Sequence, residues 1–372
     1  MPLDDDDRKA MLSLLKRFGD ISEASRPPYD YLGSSRSGYV TDPGVTDPGR
    51  RPLPLSLKDL LKSEFWDHRF YQAEDYLWQT TLFHPKGGMS KIVDAIAKAF
   101  TDMAGLRAIR VESPVTRLNN RENGVEITID GRAETFDYCF STIPLHLFRV
   151  DRIEMSGFAP DFLSAINTPK YANTCKVGWQ ARERFWETLT PGGLRNGPQI
   201  FGGISWIDHP ITQMWYPSSG YFSTGPAILT GTYNYDSTKE PVAKEFGALP
   251  LPRRLALAMD GAKRLHPRFD DYVSIGTGMS IAWQNVPYIR GGWAEWNSSD
   301  EAHRRAYQRL LRGNGRFHVG GDQVSYLPGW QEGAILSAYH VVNLILGRGK
   351  LLEAQVSDKL PAPDSASTTG AD

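Results

Sequence analysis

The segment over residues 316–346 constrains the local fold more than any other part of this sequence. Residues 316–319 (RFHV) predict a short strand, and a Gly-Gly-Asp turn follows at residues 320–322. A second turn, PGW at residues 328–330, precedes a helix predicted over residues 333–346. That helix is apolar nearly all round and is therefore expected to be buried. The order strand, glycine turn, buried helix predicts a β-turn-α unit.

The start of this predicted helix has the chemistry of an anion site. A helix N-terminus carries free N–H groups and the positive end of the helix dipole, so it favours a negatively charged group. Gly320 and Gly321 let the backbone approach a ligand closely, and Trp330 offers a flat wall just before the helix. A structural β-turn-α unit with a packed tryptophan would explain the same spacing.

The remaining pattern predicts a mixed chain. Residues 8–19 predict an amphipathic helix, and Ser90 can N-cap a helix with apolar residues at 3.6-residue spacing up to Phe100. Alternating apolar residues at 125–129 and a buried run at 138–142 predict strands after it. This helix-then-strands order indicates a mixed α/β domain.

Residues 170–300 are predicted to be mostly β and are rich in aromatic residues. Strands are predicted over residues 175–180, 213–216 and 227–235, with a helix over residues 252–265 among them.

Composition excludes several classes of protein. The formal net charge is −1, which gives no general attraction to nucleic acid or to an anionic membrane. Two cysteines exclude a disulfide scaffold and a cysteine-rich metal site, and no histidine pattern indicates a metal. The acidic N-terminus has no apolar signal region, and no apolar stretch is long enough to span a membrane. A cytoplasmic location without a membrane, nucleic-acid or metal partner is the expectation.

Three further positions carry candidate chemistry. Lys176 lies in a strand-like run, Tyr216 at a predicted strand end and Trp293 just after two glycines. Each also has a structural interpretation: a solvent-facing lysine, a Tyr-Pro strand edge and a surface loop.

Four stretches in this order resemble the flavin-dependent amine oxidase family, in particular its bacterial L-amino-acid oxidase branch. The likeness covers roughly residues 3–348. It is carried by FHPKGGM at 83–89, FSTIPL at 140–145, KVGW at 176–179 with RFWE at 184–187, and HVGGD at 318–322 with GW and GA at 329–334.

The resemblance implies an α/β (α+β mixed) flavoprotein with a discontinuous FAD-binding domain, a β-rich substrate domain and a helical cap. On this basis the expected units are residues 1–82 as a helical cap and substrate region, 83–150 as part of the FAD-binding domain, 151–305 as the substrate-binding domain, 306–350 as the C-terminal FAD-binding segment and 351–372 as a disordered tail.

The resemblance also implies FAD as the cofactor and oxidative deamination of an L-amino acid or related amine. Hydride transfer to the flavin gives an imino acid, which hydrolyses to a 2-oxo acid, and O2 is reduced to peroxide. Lys176 is expected to be the catalytic residue and to hold a water near the flavin. Tyr216, Trp330 and Trp293 are the expected substrate-binding residues. FAD contacts are implied for Val115, Gly321, Asp322, Gly329, Trp330, Gly333 and Ala334.

Two departures from the family pattern matter. The family usually has Ala-Gly-Glu where residues 320–322 are Gly-Gly-Asp. No G-x-G-x-x-G turn occurs, so the main pyrophosphate site is absent from this sequence. The expected partners are therefore an amino-acid substrate, O2 and an N-terminal FAD-binding segment supplied in cis or trans, with a homodimer as an open option.

The sequence leaves three alternatives open. An amino-acid 2-monooxygenase shares the scaffold but decarboxylates the intermediate to an amide. A non-catalytic chain could keep the substrate fold and lose FAD. A nicotinamide dehydrogenase would need a dinucleotide motif that the sequence lacks.

Overall fold

The computed structural model describes residues 4–17, 41, 43–50, 83–105, 108–187, 199–236 and 241–347. The predicted tail over residues 351–372 and most of the cap predicted over residues 1–82 lie outside these ranges. The five predicted units therefore stay a prediction.

Eight helices and thirteen strands are described within these ranges. The helices are α1 (Asp5–Arg17), α2 (Ser90–Ala104), α3 (Leu147–Val150), α4 (Pro160–Ile166), α5 (Val242–Ala248), α6 (Leu251–Leu265), α7 (Glu301–Leu311) and α8 (Gln331–Ile345). The strands are β1 (Val115–Arg121), β2 (Gly124–Ile129), β3 (Arg132–Phe136), β4 (Cys139–Ser141), β5 (Glu154–Ser156), β6 (Lys170–Tyr171), β7 (Thr174–Ala181), β8 (Ile204–Trp206), β9 (Gln213–Trp215), β10 (Ala227–Tyr235), β11 (Met279–Ala282), β12 (Ala294–Glu295) and β13 (Phe317–Val319).

An antiparallel five-stranded sheet in the order β11-β7-β10-β9-β8 forms the β-rich part of the chain. Its central strands alternate between two faces, as pleated strands must. One face is the first core, in which Val177, Trp179 and Met214 are fully buried against α5 and α6. The residues that alternate with these along each strand, such as Lys176 in β7 and Tyr233 in β10, lie on the other face.

A second core lies between a four-stranded sheet and two helices. The sheet has the order β3-β2-β1-β5, and Leu118 and Val125 point from it into the core. Phe162 of α4 and Leu310 of α7 fill the other side, and Phe162 meets Phe317 edge-on with ring centroids 6.1 Å apart. Residues from before position 170 and after position 300 therefore share one core.

Strands β4 and β13 pair in parallel as a two-stranded sheet. Phe317 pairs with Cys139 and Val319 with Ser141, and the amide of Gly320 continues the ladder by donating to the Ser141 carbonyl at 3.0 Å. Parallel strands end on the same side, so the chain leaves both strands at one edge. Ligands in open α/β sheets bind outside this edge.

Two helices are less buried than their sequences predict. In α8 only Gly333, Ser337 and Val341 are buried, whereas Leu336 and Tyr339 are 49% and 65% exposed. The described residues cover one side of α8 and leave the other side exposed. The prediction that this helix is buried nearly all round is therefore wrong for the described part of the chain. Helix α2 has no buried residue among those described. Its N-cap is Met89, and Ser90 already lies inside the helix.

No helix in the described ranges is both long and apolar enough to cross a membrane.

We expect substitution of Gly231 by alanine to destabilise the five-stranded sheet strongly. A Cβ at this position in β10 would overlap the fully buried indole of Trp179. Overpacking of this kind costs about 1–3 kcal/mol. Gly178→Ala in the neighbouring strand is the matched control, because no heavy atom of the described part of the chain lies within 4 Å of a Cβ there. Urea unfolding measures both, and equal losses would contradict the packing described.

Candidate active site

Lys176 lies on the face of the five-stranded sheet that is turned away from the first core. It is the cross-strand partner of Tyr233, and its Nζ lies 4.4 Å from the centroid of the Tyr233 ring. The side chain keeps access to solvent. The protein around the ammonium group nevertheless removes enough water to lower the pKa of Lys176, because burial disfavours the charged form.

Aromatic rings extend from Tyr233 in both directions. The Trp215 ring centroid lies 5.8 Å from that of Tyr233, and Tyr235 lies 6.0 Å away on the other side. Trp293 continues the row at 5.6 Å from Tyr235. We call these five side chains, Lys176, Trp215, Tyr233, Tyr235 and Trp293, the Lys176 face. It combines one cation with a broad aromatic wall.

The Lys176 face borders the turn that precedes α8. A Cβ on Gly329 would lie 3.8 Å from the Cβ of Trp293, so the Gly329-Trp330 backbone passes next to the end of the aromatic row. Asp322 closes this turn, because its Oδ2 accepts a hydrogen bond from the Gly329 amide at 2.8 Å. Gly329 adopts a φ of +80°, which favours glycine.

The Gly320-Gly321 turn follows β13 at the edge where both parallel strands end. A Cβ on Gly320 would overlap the Phe140 ring, so the backbone packs closely there. Gly321 has a φ of +98°, and among the described residues a Cβ on it would meet only the Gln323 side chain at 3.7 Å. Its backbone therefore stays open on the side where a side chain would stand.

The first turn of α8 completes the arrangement. No side chain among the described residues caps the helix at Trp330, and Ala334 donates the first intrahelical bond, to the Trp330 carbonyl at 3.3 Å. Gly333 is required here, since a Cβ would overlap the Leu327 carbonyl. The open glycine backbone and the uncapped helix start fit a flat ligand with a negatively charged edge, such as the ring of a flavin.

Tyr216 is not part of this face. Its side chain is 5% exposed and points into the first core, and its hydroxyl lies 2.5 Å from His266 Nε2 and 3.0 Å from Ser205 Oγ. Burial raises its pKa to about 12. The structure thus corrects the expectation that this phenol meets the substrate: alternation along β9 places Trp215 on the Lys176 face and its neighbour in the core.

The other expected residues fall into two groups. The row of aromatic rings connects Lys176 to Trp293, and Trp293 lies beside Gly329. The adjoining turns and helix start contain Gly321, Asp322, Trp330, Gly333 and Ala334. Val115 begins β1 opposite Ile129 and packs at the margin of the second core. Its contact with adenine stays a prediction. Trp215, Tyr233 and Tyr235 were not predicted as site residues, although the predicted strand at 227–235 contains the last two.

The sequence as a whole identifies the class of protein to which this fold and this candidate site belong. The sequence pattern of the flavin containing amine oxidoreductases matches residues 6–346. The chain belongs to this family, and FAD, the cofactor implied by the resemblance, is confirmed by that membership.

Individual relatives are distant. The chain is 26% identical to L-amino-acid oxidase 4 of Hebeloma cylindrosporum over 70% of its own length and 40% of that protein. It is 24% identical to YobN of Bacillus subtilis (strain 168), a provisionally named L-amino-acid oxidase, over 78% of its own length and 56% of that protein. The chain thus spans about half the length of these relatives.

Solved structures show the same fold. A putrescine oxidase bound to putrescine superposes with a TM-score of 0.54 at 17% identity, covering 70% of this chain and 53% of that one. The cyclohexylamine oxidase of Brevibacterium oxydans IH-35A gives 0.53 at 16% identity, covering 72% and 53%. The expected amine-oxidase-like fold class is confirmed.

We expect Tyr216→Phe to lower the free energy of unfolding by about 1–3 kcal/mol, because His266 and Ser205 would lose a buried hydrogen-bond partner. Tyr288→Phe is the control, since Tyr288 is 70% exposed and a surface change of this kind costs less than about 0.5 kcal/mol. Thermal unfolding compares the two variants. An unchanged stability together with a raised KM for substrate would instead place the Tyr216 hydroxyl at the substrate.

Proposed function

We propose that this chain forms the substrate side and the C-terminal flavin-binding part of an FAD-dependent enzyme that oxidises an L-amino acid. The observation that supports this most directly is the position of Lys176 on an aromatic face that borders the Gly329-Trp330 turn. That turn and the uncapped start of α8 supply the flavin side, and the aromatic face supplies the substrate side.

FAD, when bound, accepts the α-hydride of the substrate and passes the electrons to O2. In the complete reaction an amino acid, O2 and water give a 2-oxo acid, ammonia and hydrogen peroxide. Gly321 and Asp322 would hold the flavin edge, with Gly329, Gly333 and Ala334 as the remaining contacts at the helix start. The amides of this first turn would stabilise negative charge on the flavin, because the positive end of the helix dipole lies there.

Lys176 is suited to hold a water molecule and to move a proton at Nζ. Its ammonium group is partly desolvated and rests on the Tyr233 ring. A lowered pKa brings the neutral amine closer to working pH, which favours proton exchange. Trp293 and Trp330 would wall the substrate and keep bulk water from the imino product until its release.

The Lys176 face also supports a preference among substrates. Trp215, Tyr233 and Tyr235 present large, flat, apolar surfaces with polar tips. Such rings gain most from a bulky apolar or aromatic substrate side chain. We therefore propose a neutral amino acid with a large side chain.

We expect Lys176→Met to slow turnover by about 10²-fold or more while the fold stays intact, because one positioned group in the transition state is lost. The methionine keeps an apolar stem against Tyr233. Lys170→Met is the matched control, since Lys170 is exposed on β6. Stopped-flow measurements of flavin reduction and reoxidation test the variant. Unchanged rates in both half-reactions would remove Lys176 from the mechanism.

Product analysis distinguishes the proposed reaction from its alternatives. A 2-oxo acid with peroxide supports the oxidase. An amide would instead indicate an amino-acid 2-monooxygenase on the same scaffold, and no turnover with bound flavin would indicate a non-catalytic relative.

A dinucleotide-binding segment is the partner that best fits the edge of the β4–β13 pair. Parallel sheets are normally buried on both faces, whereas this pair has two strands within the described residues. Helix α2 leaves Val93 and Phe100 exposed, and α8 leaves Leu336 and Tyr339 exposed. A βαβ unit with a glycine turn would extend a parallel sheet, cover apolar helix surface and supply the site for the FAD diphosphate.

We expect FAD to bind tightly only when such a segment is present in cis or in trans. The chain is expressed alone and together with a βαβ segment carrying G-x-G-x-x-G from a flavin-containing relative. The measurement is visible flavin absorption after purification, with peroxide formation from mixed L-amino acids. A stoichiometric flavin complex of residues 1–372 alone would overturn this expectation.

A further inference from the structure

Gln323 is a buried carboxamide whose hydrogen-bonding positions are all used. The residue is 4% exposed. Its Nε2 donates to the Gly320 carbonyl at 2.8 Å and to the Ile143 carbonyl at 3.1 Å. Its Oε1 accepts from the Leu145 amide at 2.9 Å and from the Tyr171 hydroxyl. A side chain satisfied in this way is held in one orientation.

These partners come from three separate parts of the chain. Ile143 and Leu145 follow β4, and Gly320 follows β13, so the carboxamide ties together the two exits of the parallel pair. Tyr171 belongs to β6, and its own hydroxyl also accepts from the Leu145 amide at 2.9 Å. The carboxamide therefore connects the glycine turn at residues 320–321 to a strand outside the parallel pair.

That third strand leads to the aromatic wall. Tyr171 pairs with Ala294 of β12, and the Ala172 amide donates to the carbonyl of Trp293 at 3.0 Å. The Gln323 carbonyl accepts from the Trp296 indole nitrogen at 2.8 Å, which ties the same segment a second time. Gln323 thus anchors both the glycine turn and the part of the Lys176 face formed by Trp293, which we call the Trp293 wall.

We propose that Gln323 is a positioning residue that fixes the Gly320-Gly321 turn relative to the Trp293 wall. The proposal rests on the proposed function. If the flavin binds at the Gly320-Gly321 turn and the substrate at the Trp293 wall, the separation of turn and wall sets the distance between flavin and substrate. Gln323 itself holds the backbone that would meet the flavin and the strand β6, which pairs with the segment that carries Trp293.

A glutamine suits this position because it donates and accepts at the same time. An ionised carboxylate of the same shape would keep one oxygen as the acceptor for both Leu145 and Tyr171. It would, however, turn its second oxygen toward the carbonyls of Gly320 and Ile143, which are acceptors as well. Burial and this repulsion both raise the pKa of an introduced carboxyl group. Its protonated form can still donate one hydrogen bond to one of the two carbonyls.

The test is the pH dependence of FAD binding by Gln323→Glu, measured as flavin fluorescence quenching by the chain together with the βαβ segment. At about pH 5 the protonated group keeps most contacts, and affinity is expected within about threefold of the wild type. At about pH 8 the ionised group is expected to weaken FAD binding by about tenfold or more relative to the wild type. A loss of contacts that does not depend on the charge of residue 323 would weaken binding at both values.

Two further variants sharpen the test. Gln308→Glu is the control, since Gln308 is exposed on α7, and it should follow the wild type at every pH. Tyr171→Phe removes the link toward the wall but leaves Leu145 bonded to Gln323. It should therefore raise the KM for the amino acid several-fold more than it weakens FAD binding.

The outcomes separate this inference from the proposed function. If the wild type binds no FAD with the segment present, the proposed function fails. Amide hydrogen exchange at Gly320, whose amide donates to the Ser141 carbonyl, then tests the anchor alone. Because the repulsion falls on the Gly320 carbonyl, this exchange should be faster in Gln323→Glu than in the wild type at about pH 8, and similar at about pH 5. If the wild type binds FAD and Gln323→Glu binds it equally well at both pH values, the positioning role is wrong. Unchanged exchange at Gly320 would also overturn it.

Discussion

The pairing of β7 with β10 is the constraint on which both the core and the candidate site depend. In this register Lys176 stands opposite Tyr233, while Val177 stands opposite Thr232 on the reverse face. A slip of one residue would exchange the two faces, carrying a lysine into the first core and Trp179 out of it. Burial of Trp179 against Phe269, with ring centroids 6.1 Å apart, opposes such a slip strongly. The position of Lys176 is therefore a consequence of core packing.

The candidate site also depends on how two sheets with different architectures meet. The aromatic wall belongs to the antiparallel sheet and the strands beside it, whereas the glycine turn belongs to the parallel pair. Buried polar contacts join them, and these are directional in a way that apolar packing is not. Gln323 and Tyr171 supply them within a region that the second core surrounds. An anchor of this kind fixes distance and orientation, which catalysis between a cofactor and a substrate requires.

Local sequence pattern predicted the elements better than it predicted their surroundings. The strand expected over residues 227–235 is observed as Ala227–Tyr235, and the helix expected over residues 252–265 as Leu251–Leu265. Burial of α8 was predicted wrongly, because an apolar sequence shows that a helix can be covered but not what covers it. Tyr216 was assigned to the wrong face since the phase of β9 is set by its partner strands. Gln323 gave no signal, as its contacts reach residues 178 and 152 positions away.

The choice between an amino acid and a simple amine depends on charge rather than on shape. An aromatic wall fits the side chain of either substrate, and the solved structures with this fold include a putrescine oxidase and a cyclohexylamine oxidase. A substrate carboxylate, in contrast, must find a cation or several N–H donors once water is excluded. The Lys176 face as defined here has one cation, and the proposed mechanism uses it to hold water. An amino-acid substrate therefore requires a second positive group beside this face, which the proposed dinucleotide-binding segment would have to supply. The same segment would therefore have two effects. It would bind the FAD diphosphate, and it would determine whether the enzyme accepts a substrate with a carboxylate.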